Sequence, residues 1–183
     1  MTTPNPWVFG YGSLIWNPGF AFLRSEKALL RGAHRSLSIY SHRHRGTPDL
    51  PGLVFGLSRG GSCLGVAFEV APENWERTFH YLQEREQDRG VYREAWRTID
   101  LADGARVRAL AYLVNEKHPQ YAGRLAISEQ VRLIGRSSGE SGRNTEYVRN
   151  TARHLLALGI RDKALMAIVD ALDGSEPLLA RSA

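Results

Sequence analysis

The sequence contains very little cysteine and no long apolar run. Its 183 residues include one cysteine, Cys63, so no disulfide can form within the chain. Such a chain is typical of a reducing compartment, and we expect a cytoplasmic protein. The segment from Met1 to Pro6 has neither a basic run nor an apolar core, so it does not resemble a signal peptide. No apolar stretch approaches the roughly 18 residues of a membrane-spanning helix, so we expect no membrane partner.

Motifs of several common enzyme classes are also missing. No phosphate-binding loop of the pattern G-x-x-x-x-G-K-[ST] occurs, and the expected role of Cys63 is that of a small buried residue. His42 and His44 lie two positions apart, but no cysteine or carboxylate cluster with ligand spacing accompanies them. We therefore expect no metal site. We interpret residues 41–52 as a long basic loop that is solvated or contacts an anion.

The overall composition is that of an ordinary globular protein, with 43% hydrophobic and 23% charged residues. The length predicts a single domain over residues 1–183, with a core from about residue 7 to about residue 172. Lysine and arginine outnumber aspartate and glutamate by 24 to 19, which gives a net charge of +5. This modest excess favours anionic small molecules or weak contacts with nucleic acid.

Up to about residue 115 the chain is predicted to be mainly β-strand, because apolar residues alternate with polar or small ones. Asp103-Gly104 predicts a hairpin turn. Pro72 opens one helix that runs to about Glu86 and carries an apolar stripe of Trp75, Phe79 and Leu82. After a strand that begins at Trp7, the predicted strands cover residues 28–40, 53–57, 62–70, 91–101 and 105–115. A barrel or curled sheet would close the edges of such a set.

The C-terminal part is predicted to be helical. Ser128 is expected to cap a short helix that ends near Gly135, and residues 136–144 are expected to form a loop. Asn144 or Thr145 would cap the next helix, which stops at Gly159 and carries Tyr147, Val148, Leu155 and Leu156. The last helix covers about 162–172 and ends at Asp173-Gly174, and residues 176–183 are expected to fray.

The stretch from Trp7 to Trp16 is the first candidate site. An aromatic and β-branched strand runs into Gly10-Tyr11-Gly12-Ser13, where two glycines permit unusual backbone conformations and close approach of another group. A strand end with successive exposed N–H groups can bind an anion. The same residues are also compatible with a glycine-containing strand followed by a tight turn.

Glu86 is the second candidate, because it lies at the predicted C-terminal end of the Pro72 helix. A carboxylate there faces the negative end of the helix dipole, which raises its proton affinity if it is also desolvated. A raised pKa suits a general base that works near neutral pH. Position alone also allows a solvated glutamate at the end of a helix.

Four stretches together resemble the ChaC-type, glutathione-specific γ-glutamylcyclotransferases over roughly residues 7 to 150. The opening motif of that family resembles the stretch from Trp7 to Trp16. The other three stretches occur in the same order as in the family. The second is His44-Arg45-Gly46 followed by Pro51-Gly52, and the third is Tyr81-Leu82 with Arg85-Glu86, then Gly90 and Tyr92. The fourth is Ser141-Gly142-Arg143-Asn144-Thr145-Glu146-Tyr147. Several separated motifs in order are far more specific than any one of them.

The resemblance implies an α+β fold, a small curled mixed β-barrel with flanking helices. It implies cleavage of glutathione, a small-molecule substrate, to 5-oxoproline and cysteinylglycine without metal or organic cofactor and without nucleic acid. Glu86 would be the catalytic general base and acid, while the α-amine of the γ-glutamyl group attacks its own γ-carbonyl. Tyr11, Gly12, Ser13 and Leu14 would line the γ-glutamyl pocket, and Tyr147 would be a further pocket residue.

The chain departs from the family pattern at two points. Glu140 stands where the family commonly has proline, and residues 87–89 lengthen the segment before Gly90. Both changes affect what the sequence predicts about the substrate's leaving group more than what it predicts about the reaction.

Two alternative functions stay open. One is a cyclotransferase for other γ-glutamyl peptides or amines, and the other is a non-catalytic barrel that binds an anion or nucleic acid. The second rests on Arg43, Arg45, Arg143 and Arg149, which lack the interleaved aromatics of a single-strand binding surface.

Overall fold

The computed structural model describes residues 4–86 and 90–175. Contacts along the backbone divide the chain into two compact units. The first comprises Met1–Ser36 and Phe55–Tyr121, and the second comprises Leu37–Val54 and Ala122–Ala183. The expectation of a single domain stays a prediction. Within the described ranges, no helix is both long enough and apolar enough to cross a membrane.

Five strands form a closed barrel in the order β1-β3-β2-β4-β5, which confirms the expected fold class. The strands are β1 (Trp7–Gly10), β2 (Arg24–Ser41), β3 (Gly52–Glu69), β4 (Tyr92–Leu101) and β5 (Arg106–Val114). The sheet is mixed, because β1 runs antiparallel to β3 but parallel to β5. Because the barrel is closed, its outer strands pair with each other and do not present the exposed edges of an open sheet.

The hairpin of β4 and β5 is the best-predicted part of the barrel. The N–H of Leu101 donates to the carbonyl of Ala105 over 2.8 Å, and Gly104 has a φ of 89°. That positive φ is the conformation that glycine adopts without steric cost. The turn sets a register in which Glu94 lies directly opposite Tyr112. Residues directly opposite each other point to the same face of the sheet, which matters for the site below.

β3 differs from its prediction, because it is one strand and not the two segments 53–57 and 62–70. Gly60 and Gly61 suggested a break, and both do have positive φ values of 88° and 69°. They lie in an exposed part of the strand, where strand pairing continues across them. Further along, Val66, Ala67 and Phe68 are all buried, so alternation in the sequence does not separate an inner from an outer face there.

Helix α1 (Pro72–Glu86) has the predicted bounds, but its buried stripe is different. Thr78 and Leu82 are buried, whereas Trp75 and Phe79 are only half-buried and pack on each other with ring centroids 5.8 Å apart. The prediction counted only apolar residues. It therefore missed Thr78, which is classed as polar but is buried in this helix. Residues 87–89, which lengthen the segment before Gly90, lie outside the described residues.

The second unit contains three helices and a small hairpin. They are α2 (Ile127–Arg136), β6 (Ser138–Gly139), β7 (Gly142–Arg143), α3 (Asn144–Ala157) and α4 (Lys163–Ser175). The expected loop at 136–144 is wrong in part, because β6 and β7 pair within it. α4 does not end at Asp173-Gly174 but continues through both to Ser175. Residues 176–183 lie outside the described residues.

The predicted helix caps are also wrong. The N-cap position of α2 is Ala126 rather than Ser128, and that of α3 is Arg143, in neither case with a side-chain cap hydrogen bond. Asn144 is fully buried. Its amide accepts from the N–H of Leu53 over 2.7 Å and donates to the carbonyl of Leu53 over 2.8 Å. A long-range backbone contact therefore uses the side chain that the sequence assigned to a local cap.

Gly65 determines how closely β3 approaches the end of β1. A Cβ atom at this position would overlap the carbonyl oxygen of Gly10 and the ring of Phe9. We expect Gly65→Ala to lower the free energy of unfolding by roughly 1–3 kcal/mol in a denaturant titration, as overpacking does. Gly135→Ala is the control, because a Cβ there meets nothing within 4 Å. Because Gly135 lies in α2, Gly135→Ala should raise the free energy of unfolding by about 0.5–1 kcal/mol. Equal stability of both variants would contradict close packing at Gly65.

Candidate active site

The loop after β1 is held by backbone hydrogen bonds and by a buried arginine. A turn of 3₁₀ helix covers Ser13–Ile15, and the N–H of Ile15 donates to the carbonyl of Gly12 over 3.0 Å. Tyr11 and Leu14 are buried, and Ser13 is half-buried. Arg35, which is only 8% exposed, donates from Nε to the carbonyl of Tyr11 over 2.5 Å. Backbone hydrogen bonds and a buried side chain of β2 therefore hold this turn in place.

Glu86 is the last residue of α1 and lies in a desolvated position. Its side chain is 14% exposed, and its Oε1 lies 3.4 Å from Nε of Arg85. Burial raises the pKa of the Glu86 carboxyl above its ordinary value, and the charge of Arg85 offsets part of that rise. Glu86 is therefore not a solvated glutamate at the end of a helix. A buried carboxyl with a raised pKa has the property that general acid–base catalysis needs.

Arg85 links Glu86 to the loop after β1. Its Nη2 donates to Oγ of Ser13 over 2.9 Å, and its Nη1 donates to the hydroxyl of Tyr81 and to the carbonyl of Asn17, both over 2.7 Å. The structure thus brings together two of the predicted site elements, the loop and the end of α1. Sequence reasoning did not assign Arg85 a role, although it directly precedes Glu86 in the motif that resembles the family.

Tyr112 was also missed by sequence reasoning. It lies on β5, is 1% exposed, and its hydroxyl has no hydrogen-bond partner among the described residues. Burial raises the pKa of the Tyr112 phenol, and the carboxylates of Glu94 and Glu86 raise it further. The hydroxyl therefore lies within electrostatic reach of both carboxylates and stays protonated. In the sequence, Tyr112 looks like any other inward-facing strand residue.

Tyr147 belongs to the second compact unit, whereas the other predicted site residues belong to the first. It is 7% exposed on α3, and the guanidinium carbon of Arg45 lies 5.3 Å from its ring centroid. Nη1 of Arg45 also donates to the carbonyl of Arg143 over 3.3 Å. Burial lowers the pKa of Arg45, while Tyr147 and Glu146 oppose that change. The place of Tyr147 in a substrate pocket stays a prediction.

The basic loop makes contacts within this second unit. The ring of His42 stacks on Tyr40 with centroids 6.4 Å apart, and Nδ1 of His44 lies 3.0 Å from Oγ of Ser141. Arg43 pairs with Glu140, one of the positions that depart from the family pattern, over 2.8 Å. No group of three or more histidine, cysteine or acidic side chains suited to a metal ion exists within 4–86 and 90–175.

The fold matches a solved structure of a known enzyme class. The chain superposes on a yeast γ-glutamyl cyclotransferase specific to glutathione with a TM-score of 0.86. The match covers 94% of this chain and 97% of the yeast chain at 22% sequence identity. The protein therefore has the fold of the γ-glutamylcyclotransferases.

Sequence similarity defines the family. The family model described as ChaC-like protein matches residues 6–174. The glutathione-specific γ-glutamylcyclotransferase of Escherichia coli is 35% identical over 159 residues, which cover 87% of this chain and 69% of the relative. The human glutathione-specific γ-glutamylcyclotransferase 1 is 34% identical over 172 residues, which cover 91% and 78%. The chain belongs to the ChaC-like family, and the resemblance of its motifs is confirmed.

Proposed function

We propose that this protein is a γ-glutamylcyclotransferase that converts glutathione to 5-oxoproline and cysteinylglycine. Membership of the ChaC-like family and relatives named for this activity support the proposal. The structural observation that carries it is the desolvated Glu86, which Arg85 connects to the loop at Ser13. A carboxyl of raised pKa beside a strand-end loop suits proton transfer on a bound γ-glutamyl group.

The proposed reaction uses a nucleophile that belongs to the substrate. Glu86 removes a proton from the α-ammonium of the γ-glutamyl group, and the freed amine attacks the γ-carbonyl carbon to close a five-membered ring. The tetrahedral intermediate then expels the cysteinyl nitrogen, which takes the proton held by Glu86. The ring nitrogen loses its remaining extra proton, which the released amine of cysteinylglycine takes up, so that the lactam is neutral. Because both reacting groups are in one molecule, holding the substrate in a folded conformation supplies much of the rate.

The remaining site residues have binding roles in this proposal. Tyr11, Gly12, Ser13 and Leu14 hold the γ-glutamyl group, with backbone N–H groups of the turn directed at oxygen atoms of the substrate. Tyr147 contributes from α3. The substrate is a small molecule, and neither nucleic acid nor a membrane takes part. We also propose a cytoplasmic location, which the single cysteine of the chain supports.

The decisive experiment is incubation of the purified protein with glutathione, followed by mass analysis of the products. We expect equal amounts of 5-oxoproline and cysteinylglycine. A parallel incubation with other γ-glutamyl peptides and amines tests which leaving groups the protein accepts. This specificity is open because Glu140, which pairs with Arg43, stands where the family commonly has proline. Absence of 5-oxoproline from every γ-glutamyl substrate would refute the proposed function.

Arg85 predicts a specific pH dependence. Its charge lowers the pKa of Glu86, so its loss should raise that pKa further. The base form of Glu86 exists only above its pKa, and the acid limb of kcat/KM should therefore move to higher pH in Arg85→Gln. Arg85→Lys keeps the charge and should move the limb less. An acid limb at the same pH in all three proteins would show that Arg85 does not act on Glu86.

A further inference from the structure

The hydroxyl of Tyr112 is buried and has no hydrogen-bond partner among the residues that the structure describes, which is rare. Most buried side-chain polar atoms are hydrogen-bonded, and one that is not destabilises the folded protein. Among the described residues, this hydroxyl is the only buried side-chain oxygen or nitrogen atom found without a partner. A phenylalanine would fill the same space at no such cost. The position therefore calls for a hydroxyl at another stage of the protein's cycle.

The surroundings of this hydroxyl are acidic and belong to the candidate site. Glu94 lies directly opposite Tyr112 on β4 and accepts from Nε2 of Gln83 in α1 over 3.0 Å. Glu86, at the end of the same helix, is close enough for its charge to act on the phenol. Arg85 is the cation that pairs with Glu86. The register of β4 and β5 and the Gln83–Glu94 hydrogen bond thus connect Tyr112 to the helix that ends in Glu86.

We propose that the Tyr112 hydroxyl donates a hydrogen bond to the γ-carbonyl oxygen of the substrate and to the oxyanion that forms from it. The inference rests on the proposed function. In that reaction the carbonyl carbon is bonded directly to the nitrogen that Glu86 protonates, so the carbonyl oxygen lies next to Glu86 as well. A neutral phenol that always carries its proton is a suitable donor for that oxygen.

The charges around Tyr112 favour this oxygen over the substrate's carboxylates. Two neighbouring glutamates would repel a carboxylate in the bound ground state, whereas a carbonyl is neutral. Negative charge develops on the carbonyl oxygen only when the α-amine attacks, and by then Glu86 has taken the amine's proton. When the intermediate collapses, the electron pair returns to the carbonyl, the bond to the cysteinyl nitrogen breaks, and Glu86 gives its proton to that nitrogen. The ring nitrogen then loses its extra proton to the released amine. Tyr112 keeps its own proton throughout.

Tyr112→Phe tests the proposal, because it removes one oxygen atom and keeps the ring. We expect kcat for 5-oxoproline formation to fall about 10²-fold, as when one oxyanion donor is lost, with little change in KM. The melting temperature should stay equal or rise, because an unpartnered buried hydroxyl is gone. Ser58→Ala is the matched control. Its hydroxyl is buried but lies 2.8 Å from Oγ of Ser36, so its loss should lower stability and leave turnover unchanged.

Three outcomes would overturn the inference. Near-native kcat in Tyr112→Phe would show that the residue only packs. A raised KM at unchanged kcat would show a contact made equally in the ground state. A lower melting temperature together with lost activity would show that the hydroxyl has a structural partner. If the wild-type protein forms no 5-oxoproline, the proposed function fails first and this inference fails with it, which the product analysis distinguishes from a failure of Tyr112 alone.

Discussion

Glu86→Gln should abolish turnover of glutathione while the protein stays folded and still binds substrate. Glutamine keeps the size and polarity of the side chain but cannot accept the proton of the α-ammonium. Loss of a general base costs roughly 10²-fold or more in rate, and here the same group also returns the proton to the leaving nitrogen. Because the substitution affects proton transfer rather than binding, we expect the loss in kcat and not in the substrate dissociation constant.

Stability provides an independent check on the same variant. A glutamate whose pKa is raised on folding contributes stability that is fully present below its unfolded pKa and is lost as pH rises through the folded pKa. Glu86→Gln removes this dependence, so at neutral pH it should be at least as stable as the wild type. Glu84→Gln, two residues earlier on the exposed surface of α1, is the control and should retain full activity. Near-native turnover of Glu86→Gln would refute the assignment of the base.

A γ-glutamyl peptide with an acetylated α-amine should not be cleaved at all. Acetylation removes the basic lone pair of the nucleophile, so ring closure cannot start even if the peptide binds. The test compares glutathione with its N-acetylated form under identical conditions, with enzyme in small amount and no added metal. Competition of the acetylated form against glutathione would measure its binding separately from its reactivity.

The product gives a second distinction in the same experiment. Cyclisation yields 5-oxoproline, whereas attack by water yields free glutamate. Free glutamate as the first product, or cleavage of the acetylated peptide at a comparable rate, would overturn the cyclotransferase mechanism even if Glu86 proved essential. Such a result would indicate a hydrolase in which Glu86 activates water.

Local patterns in the sequence predicted elements whose stability depends on near neighbours. The β4–β5 hairpin follows from Asp103-Gly104, because glycine adopts the positive φ of this turn without steric cost. α1 has its predicted bounds, since Pro72 can open a helix. The family resemblance predicted the barrel correctly, whereas alternation alone left open a barrel or a curled sheet. Where long-range contacts compete, the predictions were wrong, as with Asn144, which binds the backbone of Leu53 rather than capping α3.

The sequence by itself determined the family, the strand-rich barrel and the identity of the candidate carboxylate, because these depend on residue types in a fixed order. Only the tertiary structure decided that Glu86 is desolvated, since its side chain is largely buried at the end of α1 and its position in the sequence does not predict this. The same holds for the contact of Arg85 with Ser13 and for the hydroxyl of Tyr112, which has no partner within residues 4–86 and 90–175. Proton affinity and hydrogen-bond satisfaction are properties of a surrounding volume, which residues far apart in the sequence create together.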